Sequence, residues 1–270
     1  MACLNLTAAQ IAGVLGSPRA NVAQNWPPVY AACAGHGLTD RPTVIAILAT
    51  IGTEVSSFVP INEFGSTAYF TRMYENNKQL GNTQPGDGAR FHGRGFIQLT
   101  GRANYHEFGQ LLGVPLEADP ELALRPDVAA DVLALYFTQR GLAPLARQGD
   151  WQGVRRGVNG GLNGWPRFSG LVQGLEKAAA GAGDTLVEGV TSPDVTRLKA
   201  LLTTWSLAHA LPQPLAATPT FGPATTAAVE AFQRSSGIQP TGKVGDPTWQ
   251  ALEAAAALIK RKPKPRPTKT

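Results

Sequence analysis

The run Val44-Ile45-Ala46-Ile47-Leu48-Ala49-Thr50-Ile51 constrains this chain more than any other segment. Thr39-Asp40 ahead of it suits a helix cap and Pro42 a first helical turn, so the run is read as helix. Its apolar extent, Thr43 to Val55, contains Gly52 and Glu54 and falls short of the roughly 20 residues a membrane span needs. An all-apolar helix that does not span a membrane must be largely buried in a protein core. The fold is therefore built around this helix, which delivers one carboxylate, Glu54, near its C-terminal end.

The surrounding sequence follows the same period. From Leu6 to about Lys177 apolar residues recur mainly at helical spacing, and strand-like alternation is scarce. Further helices are expected from Thr7, and over about Arg102 to Leu112, Pro126 to Arg140, Trp151 to Val158 and Trp165 to Lys177. Between Glu63 and Thr100 the pattern gives way to Gly, Asn and Pro with interspersed aromatics, which predicts a long structured loop with a short hairpin. In compact domains such loops are usually functional. Ala178 to Asp184 is small and Gly-containing, and no clear period follows until Pro193. Three amphipathic helices come next, Asp194 to about Ala208, Pro223 to Ser235 and Asp246 to Leu258. The expected organisation is a mainly α domain over 1–178, a linker over 179–192, a three-helix module over 193–258 and a basic, Pro-rich, disordered tail over 259–270.

Charge and composition exclude several classes. The formal charge of +5 comes from 24 basic against 19 acidic residues, and six of the basic ones fall in the last eleven positions. The remainder is nearly neutral, which argues against an extended nucleic-acid surface. Cys3 and Cys33 are too few for a disulfide scaffold. The four histidines, His36, His92, His106 and His209, lack paired-ligand spacing, so no metal or other cofactor is expected. The N-terminus shows no basic start followed by an apolar run and a cleavage site. The chain is expected to be a monomer, made in the cytoplasm and acting elsewhere after release.

The candidate chemistry lies in two glutamates and the loop. Beside its apolar helix, Glu54 is expected to lose solvation and so to hold a proton, as a general acid requires, although a solvated carboxylate on the helix's polar end has the same spacing. Glu63 stands nine residues on. Ser56-Ser57-Phe58-Val59-Pro60 disfavours a continuous helix, so the chain is expected to turn and bring Glu63 back across a groove. A carboxylate pair flanking a cleft suits glycoside hydrolysis. The loop, Asn82 to Phe91 and on through Gly93-Arg94-Gly95-Phe96-Ile97-Gln98-Leu99-Thr100 to Asn104-Tyr105, offers amides, hydroxyls and rings suited to sugars, Phe91 among them. It lacks the GK[ST] of a phosphate-binding loop. Arg90, Arg94 and Arg102 are open to structural pairing or substrate contact.

Gly93-Arg94-Gly95-x-Ile97-Gln98-Leu99-Thr100 with Asn104-Tyr105, followed by Arg156-Gly157-Val158-Asn159-Gly160-Gly161-Leu162-Asn163-Gly164, resembles the family 19 glycoside hydrolases, the chitinases and related phage and bacterial endolysins. The resemblance covers roughly Thr43 to Leu175 and implies a lysozyme-like helical catalytic domain. It also implies Glu54 as general acid and Glu63 as general base of an inverting reaction. Gln98 and Thr100 then hold the attacking water or the sugar, and Asn104, Tyr105 and Asn159 match substrate-groove positions. Thr53-Glu54-Val55-Ser56-Ser57 departs from the family's usual His-Glu-[Ser/Thr]-Gly-Gly, which leaves groove shape and catalytic strength open.

Downstream, Phe221-Gly222-Pro223-x-Thr225-x-x-Ala228-Val229-x-x-Phe232-Gln233, then Thr241-Gly242-Lys243-Val244-Gly245-x-x-Thr248-Trp249-x-x-Leu252, is similar to the three-helix peptidoglycan-binding domain. Helical spacing assigns Val229, Phe232, Trp249 and Leu252 to its core and leaves ligand contacts to the interhelical loops. Together the two resemblances imply an endolysin of the muramidase type that cuts β-1,4 bonds of peptidoglycan in phage lysis. A chitinase, or a wall-binding protein whose enzyme domain has decayed, are the alternatives.

Overall fold

The computed structural model describes residues 3–209 and 215–261, and the basic tail beyond 261 lies outside them. The chain divides into two compact units, one of Ala8–Ala180 with the residues up to Leu4, the other from Gly181 onward with Asn5–Thr7.

The first unit is helical, as expected, with α1 (Ala8–Leu15), α2 (Arg19–Gly35) and α3 (Arg41–Glu54) leading. Asp40 caps α3, accepting from the Thr43 amide at 3.1 Å, and is itself held by Arg147 at 2.8 Å. Every residue from Thr43 to Gly52 is buried, so the apolar run is the core helix. At its end the chain reverses. Ser17 donates to the Ser56 carbonyl at 2.7 Å and Asn21 to the Ser57 carbonyl at 2.9 Å, which satisfies the turn's backbone as well as Pro60 denying it a helix.

The returning segment forms β1 (Ile61–Asn62). After α4 (Thr67–Tyr74) and the short α5 (Asp87–Arg90) it pairs antiparallel with β2 (Arg94–Gly95), Ile61 opposite Gly95 and Asn62 opposite Arg94. Gly95 has φ +84° and a Cβ there would stand 2.9 Å from the Ala123 carbonyl oxygen, so only glycine fits. The expected loop is thus a loop with a minimal hairpin. Behind it come α6 (Arg102–Leu112), α7 (Pro126–Gln139), α8 (Leu142–Arg147), α9 (Trp151–Asn159) and α10 (Trp165–Ala182).

Buried ion pairs and caps hold the loop. Asp87, almost fully buried, accepts from the Thr83 and Gln84 amides and from Arg102, whose guanidinium is the main reason its carboxyl sits below the usual range. Glu75 accepts from the Gly86 and Gly88 amides at 2.6 and 2.7 Å. Arg94 reaches Glu121 at 2.8 Å and the Tyr105 hydroxyl at 3.1 Å, and Arg90 donates to the Ala118 carbonyl at 2.7 Å. The three loop arginines are therefore framework.

The second unit contains α11 (Pro193–Ala208), α12 (Pro223–Ser235) and α13 (Asp246–Arg261). Val229, Phe232 and Leu252 are buried in its core and Trp249 packs against them. Gln233 explains the motif's polar positions. Its amide donates to the Lys243 carbonyl at 2.8 Å and to Thr248 at 3.1 Å while its oxygen accepts from the Gly242 amide, fastening the 241–244 loop to two helices. The segment 179–192, expected as a linker, is structured. α10 continues to Ala182, Leu186 bridges Val244, Val190 bridges Thr7, and Leu186, Val190 and Ser192 are all buried. Its contacts are isolated bridges, which leave no helical or strand period to read.

Candidate active site

The turn at 56–60 does bring Glu63 into the loop region. Its backbone amide donates to the Gly93 carbonyl at 2.7 Å, continuing the β1–β2 ladder. Both side-chain oxygens accept: Oε1 from the Tyr74 hydroxyl at 2.8 Å and Oε2 from the Gly93 amide at 3.0 Å. A Cβ on Gly93 would stand 3.0 Å from Gln98 Oε1 and 3.1 Å from Glu63 Oε2, so this glycine leaves both side chains room to pack close to the backbone. Burial, then the bond to Glu63, pushes the Tyr74 phenol's pKa well up, and Tyr74 stays a donor.

Glu54 sits differently from the apolar setting its helix suggested. Its Oε1 is ion-paired with Arg155 of α9, a side chain only 4% exposed against 21% for Glu54. Arg155 also donates to the Asn163 carbonyl at 2.6 Å. Sequence reasoning missed Arg155, although it directly precedes the Arg156 to Gly164 motif.

A cavity of about 840 Å³ runs beside these groups. Its lining includes Gln98, Thr100, Asn104 and Asn159, four of the residues the sequence singled out, together with Tyr74, Tyr136, Arg140 and Arg156. Gln98, at φ +55°, donates to the Gly95 carbonyl at 2.9 Å. Thr100 donates to the Gln98 carbonyl at 2.9 Å and Asn104 to the Thr100 carbonyl at 2.6 Å. Asn159 donates to the Asn163 carbonyl at 2.9 Å. Glu54 and Glu63 stand outside this lining, and Glu63 meets it through a tyrosine. Tyr74 bonds Glu63. Burial chiefly raises the Tyr136 phenol's pKa, Arg140 opposes the shift, and the nearby Glu54 charge adds to it.

Two expected sugar contacts are corrected. Phe91 and Tyr105 have no exposed surface. Their rings pack against each other with centroids 5.4 Å apart, Arg102 lies 4.7 Å over Phe91, and the Tyr105 hydroxyl donates to the His92 carbonyl. They support the loop from inside and do not face the groove. Pockets elsewhere hold less of this chemistry: in one of about 590 Å³, Arg102 and His106 are paired with Glu117 and Arg90 is bonded to the Glu117 and Ala118 carbonyls.

Residues 191–252 match the sequence model of the peptidoglycan binding domain family. A glycosyl hydrolase family 19 domain-containing protein of Haemophilus influenzae is 37% identical over 93 residues, 34% of this chain and 44% of that protein. An endochitinase of Arabidopsis thaliana is 31% identical over 126 residues, 46% of this chain and 42% of that protein. The chain thus joins a family 19 glycoside hydrolase-like domain to a peptidoglycan-binding-type domain. It covers less than half the length of either curated relative. Chitinase C from Streptomyces griseus superposes with a TM-score of 0.53 at 18% identity, over 67% of this chain and 78% of that one, which establishes a shared fold for the family 19-like unit.

Proposed function

We propose that the family 19-like unit is an inverting glycosidase acting on a β-1,4-linked amino-sugar polymer, with peptidoglycan as its substrate. The observation that carries the reading is one polar groove that Glu63 meets through the groove-lining Tyr74, and to which α9, the helix that carries the Arg155 partner of Glu54, contributes Arg156 to Asn159. Glu63 is the general base. Two donors fix its carboxylate, so its lone pairs are oriented toward a water before substrate arrives. Glu54 is the general acid, with Arg155 engaging Oε1 and Oε2 remaining to carry the proton to the leaving oxygen. Gln98 and Thr100 position water or sugar, and Asn104 and Asn159 hold the polymer.

The peptidoglycan-binding-type domain supports the choice of polymer, since a wall-anchoring module raises the local concentration of enzyme on that surface. The likeness to chitinase C of Streptomyces griseus and an endochitinase of Arabidopsis thaliana favours chitin as the second reading. The test is digestion of purified walls and of chitin oligomers by the full chain, with mass spectrometry of soluble products and NMR of the fresh anomer. New reducing ends on wall fragments, first formed with inverted configuration, are expected. Release from chitin alone would overturn the choice of substrate, and retained configuration would overturn the roles of the two glutamates.

A further inference from the structure

The groove carries more charge than a neutral polysaccharide uses. Arg140 and Arg156 both line it, both are exposed, and among the described residues neither has a carboxylate within ion-pair distance. Arg94, Arg102, Arg147 and Arg155 of the same unit are each paired with an acid. Arg140 lies 5.3 Å over the Tyr136 ring, and Arg156 donates to Gln152 at 3.3 Å. The Tyr136 hydroxyl donates to the Val158 carbonyl at 2.9 Å, fastening the end of α7 to the end of α9 and so setting both guanidiniums on one groove. No aspartate or glutamate shares that lining.

A strand of N-acetylated amino sugars is uncharged and gives two guanidiniums nothing to pair with. A strand that bears short peptides presents free carboxylates beside the sugar backbone, and the planar guanidinium fork matches a carboxylate. We propose that Arg140 and Arg156 form a carboxylate subsite that takes an acidic peptide attached to the glycan strand. This rests on the reading of the groove as a glycan site. The subsite distinguishes peptide-bearing glycan from chitin by charge, whereas Gln98, Thr100, Asn104 and Asn159 address what the two polymers share.

The test compares kcat/KM of the full chain on peptide-bearing strands and on the same strands after carbodiimide coupling to a neutral amine has turned their free carboxylates into amides. Exposed ion pairs are individually weak, so two of them give a preference of about tenfold, mostly in KM. In the Arg140→Gln/Arg156→Gln variant the ratio should fall to near one. Raising salt from about 0.05 to about 0.5 M should erode the wild-type preference as well, a measurement that needs no variant to fold. Equal cutting of both strands by the wild type, or a preference the double variant keeps, overturns the subsite. Should the chain cut neither strand, the glycosidase reading falls separately. Calorimetry with a soluble disaccharide-peptide then decides: weaker binding by the double variant upholds the subsite, and equal binding overturns it.

Discussion

Replacing Glu54 by glutamine tests the catalytic role and the packing together, because the residue that is to take up and donate a proton is also, when ionised, the counter-charge of a buried arginine. Arg155 is 4% exposed and Glu54 21%, and beyond Glu54 the guanidinium has the Asn163 carbonyl as a partner. Removing one member of a buried pair outright costs about 3–5 kcal/mol, since the other charge is left without compensation. Glutamine keeps an oxygen for Arg155, and a hydrogen bond to a charged group recovers about 1.5–3 kcal/mol. The partial exposure of Glu54 softens the remainder further. Glu54→Gln should therefore lower the stability of the first unit by about 1–3 kcal/mol, or roughly 3–10 °C in Tm for a unit of this size.

Glu54→Ala, which removes the acceptor, should lose more than Glu54→Gln, and Glu54→Gln/Arg155→Met should recover part of the loss by removing the stranded charge as well. Turnover should still fall by at least about 100-fold for every Glu54 variant when measured well below the lowered Tm. Scanning calorimetry reads the first effect and wall-fragment release at 25 °C the second. A Glu54→Gln protein that melts within about 1 °C of wild type would refute the ion pair as a stabilising contact, and one that turns over near the wild-type rate would refute the acid.

Two further outcomes follow from the setting of Glu63. Tyr74→Phe keeps the ring in the groove and removes only the donor to Oε1, so kcat should drop about 10-fold or more while KM and Tm stay close to wild type; a change confined to KM would make Tyr74 a sugar contact instead. Gly93→Ala drives a methyl to 3.0–3.1 Å from Gln98 and Glu63, so it should impair turnover about 10-fold with the fold retained by circular dichroism, and unaltered turnover would show that the placement of Glu63 and Gln98 does not depend on that glycine.

What was legible in the sequence divides by the distance over which each contact acts. The core helix α3, its Asp40 cap and the breaker at Pro60 are local, and their residues announce them. The groove amides were legible only through a motif, since hydrogen bonds such as Asn104 to Thr100 are local but a groove is not. Phe91 and Tyr105 misled for a physical reason. An aromatic in a Gly-rich loop reads as exposed unless its neighbours are known, and here Arg94 and Arg102 seal the rings inside. The environment of Glu54 was least legible of all. Its own helix is apolar, which suggested desolvation, yet its ion-pair partner lies 101 residues away in α9. A carboxylate's chemistry is set by whatever charge the tertiary fold places against it. The same logic gives Arg140 and Arg156 their interest: the fold supplies Glu54 with a partner and leaves these two facing the groove.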